Sequence, residues 1–438
     1  MSIKTLRYPP NMQLEVTPVC NENCIHCYNY WRDREAGKTS VSHPDTDYCR
    51  IAEKIIENKP THVVITGGEP MTVFPRIKEA IRMMHEAGIH VSMNTNASLA
   101  TDEIAAFMKE QGMTAFVSLP SCDEKTCDKI TNRENSLSAI AEGIRTLKRN
   151  GVRVTVNMVV SKLNFDQVYD TVIYACEELG LDSFFASPVS RPVNADDSFD
   201  RLMLNNDDIY HMEKEMLRAK KVYPKLRVEI STSLPSCSFM DKEVSDHFNF
   251  VKKCTAGTFS YGIDYEGNVK ACPRDSISYG NILEEPFEVI WERMHEWRDD
   301  TFLPKECREC ASASVCGGGC RLEAFSKTGG RGSLDPRADL NLLPLKYRKK
   351  PVEIIYAEDD VFRVNRNLKR VEDRVGTRIS AGPAFLYVTK KLADFLFGHP
   401  VFTLDEMAEV FNESSREDAF HIVNFLGSKY ILYKEKTT

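Results

Sequence analysis

The sequence predicts an α/β protein: a partial (β/α)6 barrel, then a cysteine-rich extension, then a small winged-helix-like α+β domain. Three observations predict this. Short apolar runs alternate with helical patterns through the first half of the chain. Nine of the 14 cysteines fall in two blocks, three at 20–27 and six at 254–320. The last stretch reads as short strands followed by three helices. The expected domain limits are 10–225, 226–343 and 352–438.

Strand-like runs lie at 12–16, 62–66, 90–94, 115–119, 152–160 and 183–188, with amphipathic helical patterns at 74–87, 101–111, 136–150 and 165–179. Such alternation implies right-handed strand–helix–strand units on a parallel sheet. Barrels of this kind carry their chemistry at the carboxyl ends of the strands, and the motifs fall there. Composition narrows the class. With 438 residues, 28% of them charged and 42% hydrophobic, the chain has room for two or three domains. A net charge of −7 argues against general nucleic-acid affinity. No signal-peptide core and no apolar run of about 18 residues occurs, so no membrane partner is expected and the chain reads as cytoplasmic. Thiols stay reduced there, and 14 cysteines read as metal ligands rather than disulfides.

Directly after the first strand comes Cys20-Asn21-Glu22-Asn23-Cys24-Ile25-His26-Cys27, followed by Tyr28. A four-iron cluster takes one ligand per iron, and three close thiolates hold three irons while leaving the fourth open to a ligand that is not protein. A zinc knuckle with His26 as fourth ligand, or three unrelated thiols, would use the same residues. This CxxxCxxC spacing resembles that of radical S-adenosylmethionine (SAM) enzymes. The resemblance implies a [4Fe–4S] cluster held by Cys20, Cys24 and Cys27, with SAM chelated on the open iron and cleaved to a 5′-deoxyadenosyl radical by one electron. An external donor such as flavodoxin or ferredoxin would supply that electron.

The second strand ends in Gly67-Gly68-Glu69-Pro70, which matches the family's GGEP motif for the SAM amino group. Two glycines permit close backbone approach, and Glu69 accepts hydrogen bonds. Small polar residues at later strand ends, Asn94, Asn96, Ser118 and Asn157, suit the ribose and carboxylate of SAM, or equally well cap strands and turns. Cys122 and Cys127 read as bystanders, and Cys49 and Cys176 as core thiols.

In the second block, Cys254 is followed by twelve residues, Gly267, four residues and Cys272; then Cys307, Cys310, Cys316 and Cys320 are spaced CxxCx5CxxxC. The array resembles the SPASM extension of radical SAM peptide maturases, which carries two auxiliary [4Fe–4S] clusters. The resemblance assigns Cys254, Cys272 and Cys320 to the first and Cys307, Cys310 and Cys316 to the second; Cys237, in Leu234-Pro235-Ser236-Cys237, is the candidate to complete the first. The final cysteine of the pattern is missing. Ala338 stands in its place, within Leu334-Asp335-Pro336-Arg337-Ala338-Asp339. The expectation is a second cluster incompletely ligated by cysteine, with a carboxylate of Asp335 or Asp339, or an open site, in fourth place. Related maturases use an aspartate just after the second SPASM cysteine as a base; here Pro273 and Arg274 follow Cys272, and Asp275 does not inherit that role. No catalytic base is assigned.

A basic stretch, 346–351, leads to a tail read as strands at 352–356, 362–365 and 384–388, helices at 389–396, 404–411 and 416–426 capped by Thr403 and Ser415, and a last strand at 430–433. The plan is loosely similar to PqqD-like domains, which bind leader peptides by strand addition. The helix at 404–411 carries Asp405, Glu406 and Glu409, against a DNA-reading wing. The sequence thus reads as a radical SAM/SPASM maturase of a ribosomal precursor peptide with a leader. The alternatives are a SPASM enzyme acting on a small molecule such as a tetrapyrrole, and a non-catalytic iron–sulfur or zinc regulator.

Overall fold

The computed structural model describes residues 6–29, 45–248, 253–342, 354–410 and 416–435. Six strands stand where the apolar runs put them: β1 (Asn11–Glu15), β2 (His62–Thr66), β3 (His90–Thr95), β4 (Thr114–Ser118), β5 (Arg153–Val160) and β6 (Ser183–Pro188). Three more, β7 (Arg227–Ile230), β8 (Ser260–Asp264) and β9 (Val269–Lys270), were not expected. All nine form one sheet in the order β7-β6-β5-β4-β3-β2-β1-β8-β9. Pairing is parallel throughout except between β8 and β9. The cysteine-rich segment therefore adds its own strand, β8, beside β1, and brings its first ligands next to the Cys20–Cys27 loop.

The strands alternate because the two faces of the sheet differ. Met12, Leu14, Val63, Ile65, Val91, Met93, Ala115 and Val117 point to one face and are buried, packed beneath helices such as Phe74–Glu86, Asp102–Glu110 and Ser136–Arg149. Their neighbours Gln13, Val64, Asn94, Phe116, Thr155 and Phe185 remain partly open. A parallel sheet covered on both faces reads as continuous apolar runs. Period-two alternation here marks a concave inner face that holds space rather than packing.

At the amino ends of the strands, His62 Nε2 lies 2.8 Å from Ser92 Oγ and its ring 5.2 Å from that of His90. Burial, then the neighbouring His90, pulls the His62 imidazole down to about 4. The unfolded chain, titrating near 6.5, binds a proton that the folded chain refuses, so stability falls as pH drops through that window. His62 is expected to cost about 1 kcal/mol between pH 7 and 5.5. His90 is lowered by burial in the same way, so denaturant midpoints at the two pH values should fall more steeply in the parent than in His62→Gln; equal slopes would refute it.

The tail holds two small sheets rather than the single one expected. One has the order β14-β10-β15 and the other β11-β12-β13, from β10 (Val361–Val364), β11 (Lys369–Asp373), β12 (Gly376–Ala381), β13 (Ala384–Val388), β14 (Val401–Thr403) and β15 (Leu432–Lys434). The helices are Lys390–Gly398, Leu404–Val410 and Arg416–Ser428. Thr403 and Glu406 cap one another across the second helix start, at 2.7 and 3.3 Å. The 346–351 linker, Phe411 and the Ser415 cap lie outside the described residues. Of the strand expected at 352–356, the described part is not a strand: Ile355 and Tyr356 donate their N–H groups to Asn424 Oδ1 instead of a ladder.

Phe362, Leu396, Phe402, Met407, Val423 and Leu432 give the tail a core of its own. Its β11–β12 hairpin meets the barrel at the amino ends of the strands. Arg378, 2% exposed, donates to the carbonyls of Tyr8 and Lys59, and Asp373 accepts from the N–H groups of Arg7 and Tyr8. Lys369 donates to the Ala87 carbonyl at 3.1 Å. This is the end opposite the cysteine loop.

Candidate active site

The cysteine loop is a continuation of the β1–β2 pairing. Val16 N–H donates to the Thr66 carbonyl at 2.9 Å, Gly68 N–H to Thr17 at 2.7 Å, and Glu69 N–H to Val19 at 2.8 Å. A Cβ on Gly68 would stand 2.0 Å from the Val19 oxygen, and Gly67 takes a φ of +130°. The glycines thus admit the backbone that leads into Cys20. On the other side, Asn23 and Ile25 donate N–H groups to the carbonyls of Thr131 and Ile130, at the end of the helix Glu124–Thr131. Cys20, Cys24 and Cys27 are half-buried on this tethered loop.

Pro70 opens a short 3-10 turn whose cap is Glu69. The Glu69 carboxylate, 1% exposed, accepts from Met71 N–H (3.0 Å), Thr95 Oγ1 (2.7 Å) and Asn96 N–H (2.8 Å). Burial pushes its carboxyl up, and those three donors oppose the rise. A carboxylate offers about four acceptor sites; three are used, so room for one further donor remains. Asn96 Nδ2 donates to Asn21 Oδ1, Asn21 to Ser98 Oγ, and Arg133 reaches the same hydroxyl, each at 2.8 Å. Between Asn96 and Ser98, buried Ala97 holds a φ of +59°, the kind of strain that concentrates at functional sites.

The fold therefore gathers Gly67, Gly68, Glu69, Pro70 and Asn96 against the cysteine loop. Asn94, Ser118 and Asn157 lie further round the sheet on β3, β4 and β5; Asn157 Oδ1 accepts from Ser187 and Ser231 at 2.9 and 3.2 Å. Asn21, Thr95, Ser98 and Arg133 were missed by sequence reasoning. Thr95 and Ser98 flank Asn96 in the run Asn94-Thr95-Asn96-Ala97-Ser98, which was the available signal. Cys127 is fully buried, and burial pushes its thiol up to about 12, as suits a core thiol.

In the second block, burial pushes the Cys254 thiol up to about 11, with nearby Cys320 the next cause; Cys272 is raised by burial and then by Cys254. Arg274 donates to Cys320 Sγ at 3.5 Å and to buried Glu323 at 2.7 Å. Cys307 is raised by burial and then by Cys316 and Cys310 in its neighbourhood. Cys254, Cys272 and Cys320 thus lie near one another, as do Cys307, Cys310 and Cys316. Cys237 falls beside Cys316 and Cys307, not in the first group. Crowded, half-buried thiols resist ionisation one by one, and an iron core that binds them as thiolates relieves both desolvation and repulsion. The donor set fits such clusters. Among the described residues, no three Cys, His, Asp or Glu side chains converge on a single-ion site, the geometry a zinc knuckle needs. Tyr28 is half-buried between the blocks, within the influence of Glu15, Cys27 and Cys272. Asp275 is buried and paired with Arg331, so it is not poised as a base.

A model of the radical SAM superfamily matches residues 14–175, and one of an iron–sulfur cluster-binding domain, SPASM, matches 254–311. The chain is a radical SAM enzyme with a SPASM domain. Its cofactors are SAM and [4Fe–4S] clusters. It is 28% identical over 331 residues to an AdoMet-dependent heme synthase of Methanosarcina barkeri, covering 72% of this chain and 92% of that protein. To one of Nitratidesulfovibrio vulgaris it is 24% identical, over 74% and 90% of the two. Among solved structures, anSMEcpe with bound AdoMet superposes with a TM-score of 0.58 at 16% identity, covering 74% of this chain and 93% of that one. SuiB of Streptococcus suis bound to precursor peptide SuiA gives 0.59 at 17% identity and 77% of each chain. These likenesses concern the fold. Among the described residues, no helix is long and apolar enough to cross a membrane.

Proposed function

We propose that this radical SAM enzyme acts on a ribosomally made precursor peptide in the cytoplasm, with an external flavodoxin- or ferredoxin-type electron donor. Bound SAM and its cluster supply a hydrogen-abstracting 5′-deoxyadenosyl radical; the substrate is then crosslinked or otherwise remodelled. The observation that carries this reading is the tail. Strand β13 pairs with β12 alone among the described residues, and all five of its residues are half-exposed. An open strand edge beside a helix is a surface onto which an extended peptide adds by main-chain hydrogen bonds. The inner face of the barrel, mixed in polarity and partly open, suits a threaded chain.

The tail sits at the amino ends of the strands, and the cysteine loop lies at the carboxyl ends. Eight residues of β5 alone span about 26 Å. The stretch between leader and modified residue must therefore bridge roughly 30 Å, or about nine extended residues.

A second reading, a tetrapyrrole substrate, is favoured by the 28% identity to a heme synthase whose length is 92% covered. One experiment separates the two. Anaerobic, cluster-loaded full chain and a form lacking 352–438 are compared for binding and turnover of a short precursor encoded beside the gene. Deletion is expected to weaken precursor binding at least about tenfold (~1.4 kcal/mol) while sparing uncoupled SAM cleavage. Unchanged affinity removes the recognition role. Turnover of a tetrapyrrole by both forms, with none of the precursor, favours the second reading.

A further inference from the structure

The sequence leaves the second auxiliary site one thiolate short, and three segments meet there in the fold. Ser236 N–H donates to Cys316 Sγ at 3.3 Å, which lays the turn Ser236–Ser238 along the ligand loop. A Cβ on Gly319 would stand 2.8 Å from Pro235 Cγ and 2.5 Å from Asp335 Oδ2, so the loop has glycine where both segments press on it. Arg337 donates to the Ser233 carbonyl at 3.1 Å, tying 233–238 to 335–339. The peptide N–H of Asp339, the residue after Ala338, donates to the Cys237 sulfur, and Cys316 and Cys307 are the cysteines beside it.

The Asp335 alternative does not hold, and Asp339 is engaged in a turn of its own. Asp335 is fully buried, and its oxygens accept from Arg337 N–H, Arg337 Nε, Arg337 Nη2 and Cys320 N–H, at 2.8 to 3.0 Å. Those four bonds use the acceptor sites a carboxylate has. Asp339 Oδ1 accepts from Asn341 N–H at 2.9 Å in its own turn.

We infer that Cys237 is the fourth thiolate of the second auxiliary cluster, with Cys307, Cys310 and Cys316, and that it replaces from the amino-terminal side the ligand missing at Ala338. The cluster short of a cysteine is then the first, held by Cys254, Cys272 and Cys320. This rests on the SPASM identification and not on the substrate.

The test uses anaerobically reconstituted full chain, with iron, acid-labile sulfide and Mössbauer spectra as readouts. The parent is expected to hold about twelve irons, in three four-iron clusters. Cys237→Ala should lose about a third of iron and sulfide and the signature of one auxiliary cluster, leaving the other two. Ala338→Cys in that background should return them, since the two side chains share one place. Should Cys237→Ala fail to fold, Cys237→Ser keeps the size with a harder donor and should shift the potential of one cluster. Full iron with unchanged spectra in Cys237→Ala, a Cys237→Ser potential equal to the parent's, or a double variant still short of iron would each overturn the assignment. A failed precursor assay would leave it untouched.

Discussion

Replacing Cys20, Cys24 and Cys27 together by alanine is expected to reduce SAM cleavage to background while the auxiliary clusters remain. The reason is structural as well as chemical. The loop is held by backbone donors, Gly68 and Glu69 on one side and Asn23 and Ile25 on the other, and none of these bonds uses a thiol. The variant should therefore keep its fold and lose only the ligands of one cluster, about four irons of twelve. The auxiliary cysteines stand on separate segments, 237–272 and 307–320. Chromatography of 5′-deoxyadenosine under anaerobic, reducing conditions checks the first part and iron analysis the second. Continued formation of 5′-deoxyadenosine would sink the assignment of this triplet.

The second large effect is expected from Asp335→Asn. Asp335 is 0% exposed and Arg337 6% exposed on its side chain, and their forked pairing also fixes Cys320 N–H. Removing one partner of a buried pair leaves the other charge uncompensated and costs about 3–5 kcal/mol. The denaturant midpoint should fall accordingly, while the folded protein keeps its full iron. An unchanged midpoint would contradict the pairing. Loss of about four irons (one cluster) with little loss of stability would mean the carboxylate is a ligand after all.

Why some of this was legible in the chain and some was not follows from range. The six barrel strands could be read because each alternates an apolar residue packed under helices with a more exposed one facing the concavity, a local pattern of period two. Strands β7 and β9 were missed because they are short, and β8, as long as β1, because its place comes from pairing with β1, 249 residues earlier in the chain. In the tail, β11 and β12 escaped because their sequences are polar: Lys369-Arg370-Val371-Glu372-Asp373 is organised by hairpin pairing and by contact with the barrel, not by its own apolar content. The stretch at 352–356 misled for the opposite reason. It is apolar enough for a strand, but the N–H groups of Ile355 and Tyr356 are taken by Asn424, 69 and 68 residues away in the chain.

The same division runs through the site. By itself the sequence determined the chemistry, because cluster ligands and the GGEP turn are short-range patterns whose spacing must match the geometry they build. It also determined the α/β class, because helix and strand periodicities are local. Only the tertiary structure decided what the glycines of Gly67-Gly68 accommodate, which polar side chains brace Glu69, and on which side of the two auxiliary groups Cys237 lies. It alone decided that Asp335 is spent on Arg337 and Cys320, and that the tail docks at the strand ends away from the cysteines. Each of these depends on segments tens to hundreds of residues apart meeting at hydrogen-bond distance, and no local pattern in a chain records which distant segment it will meet.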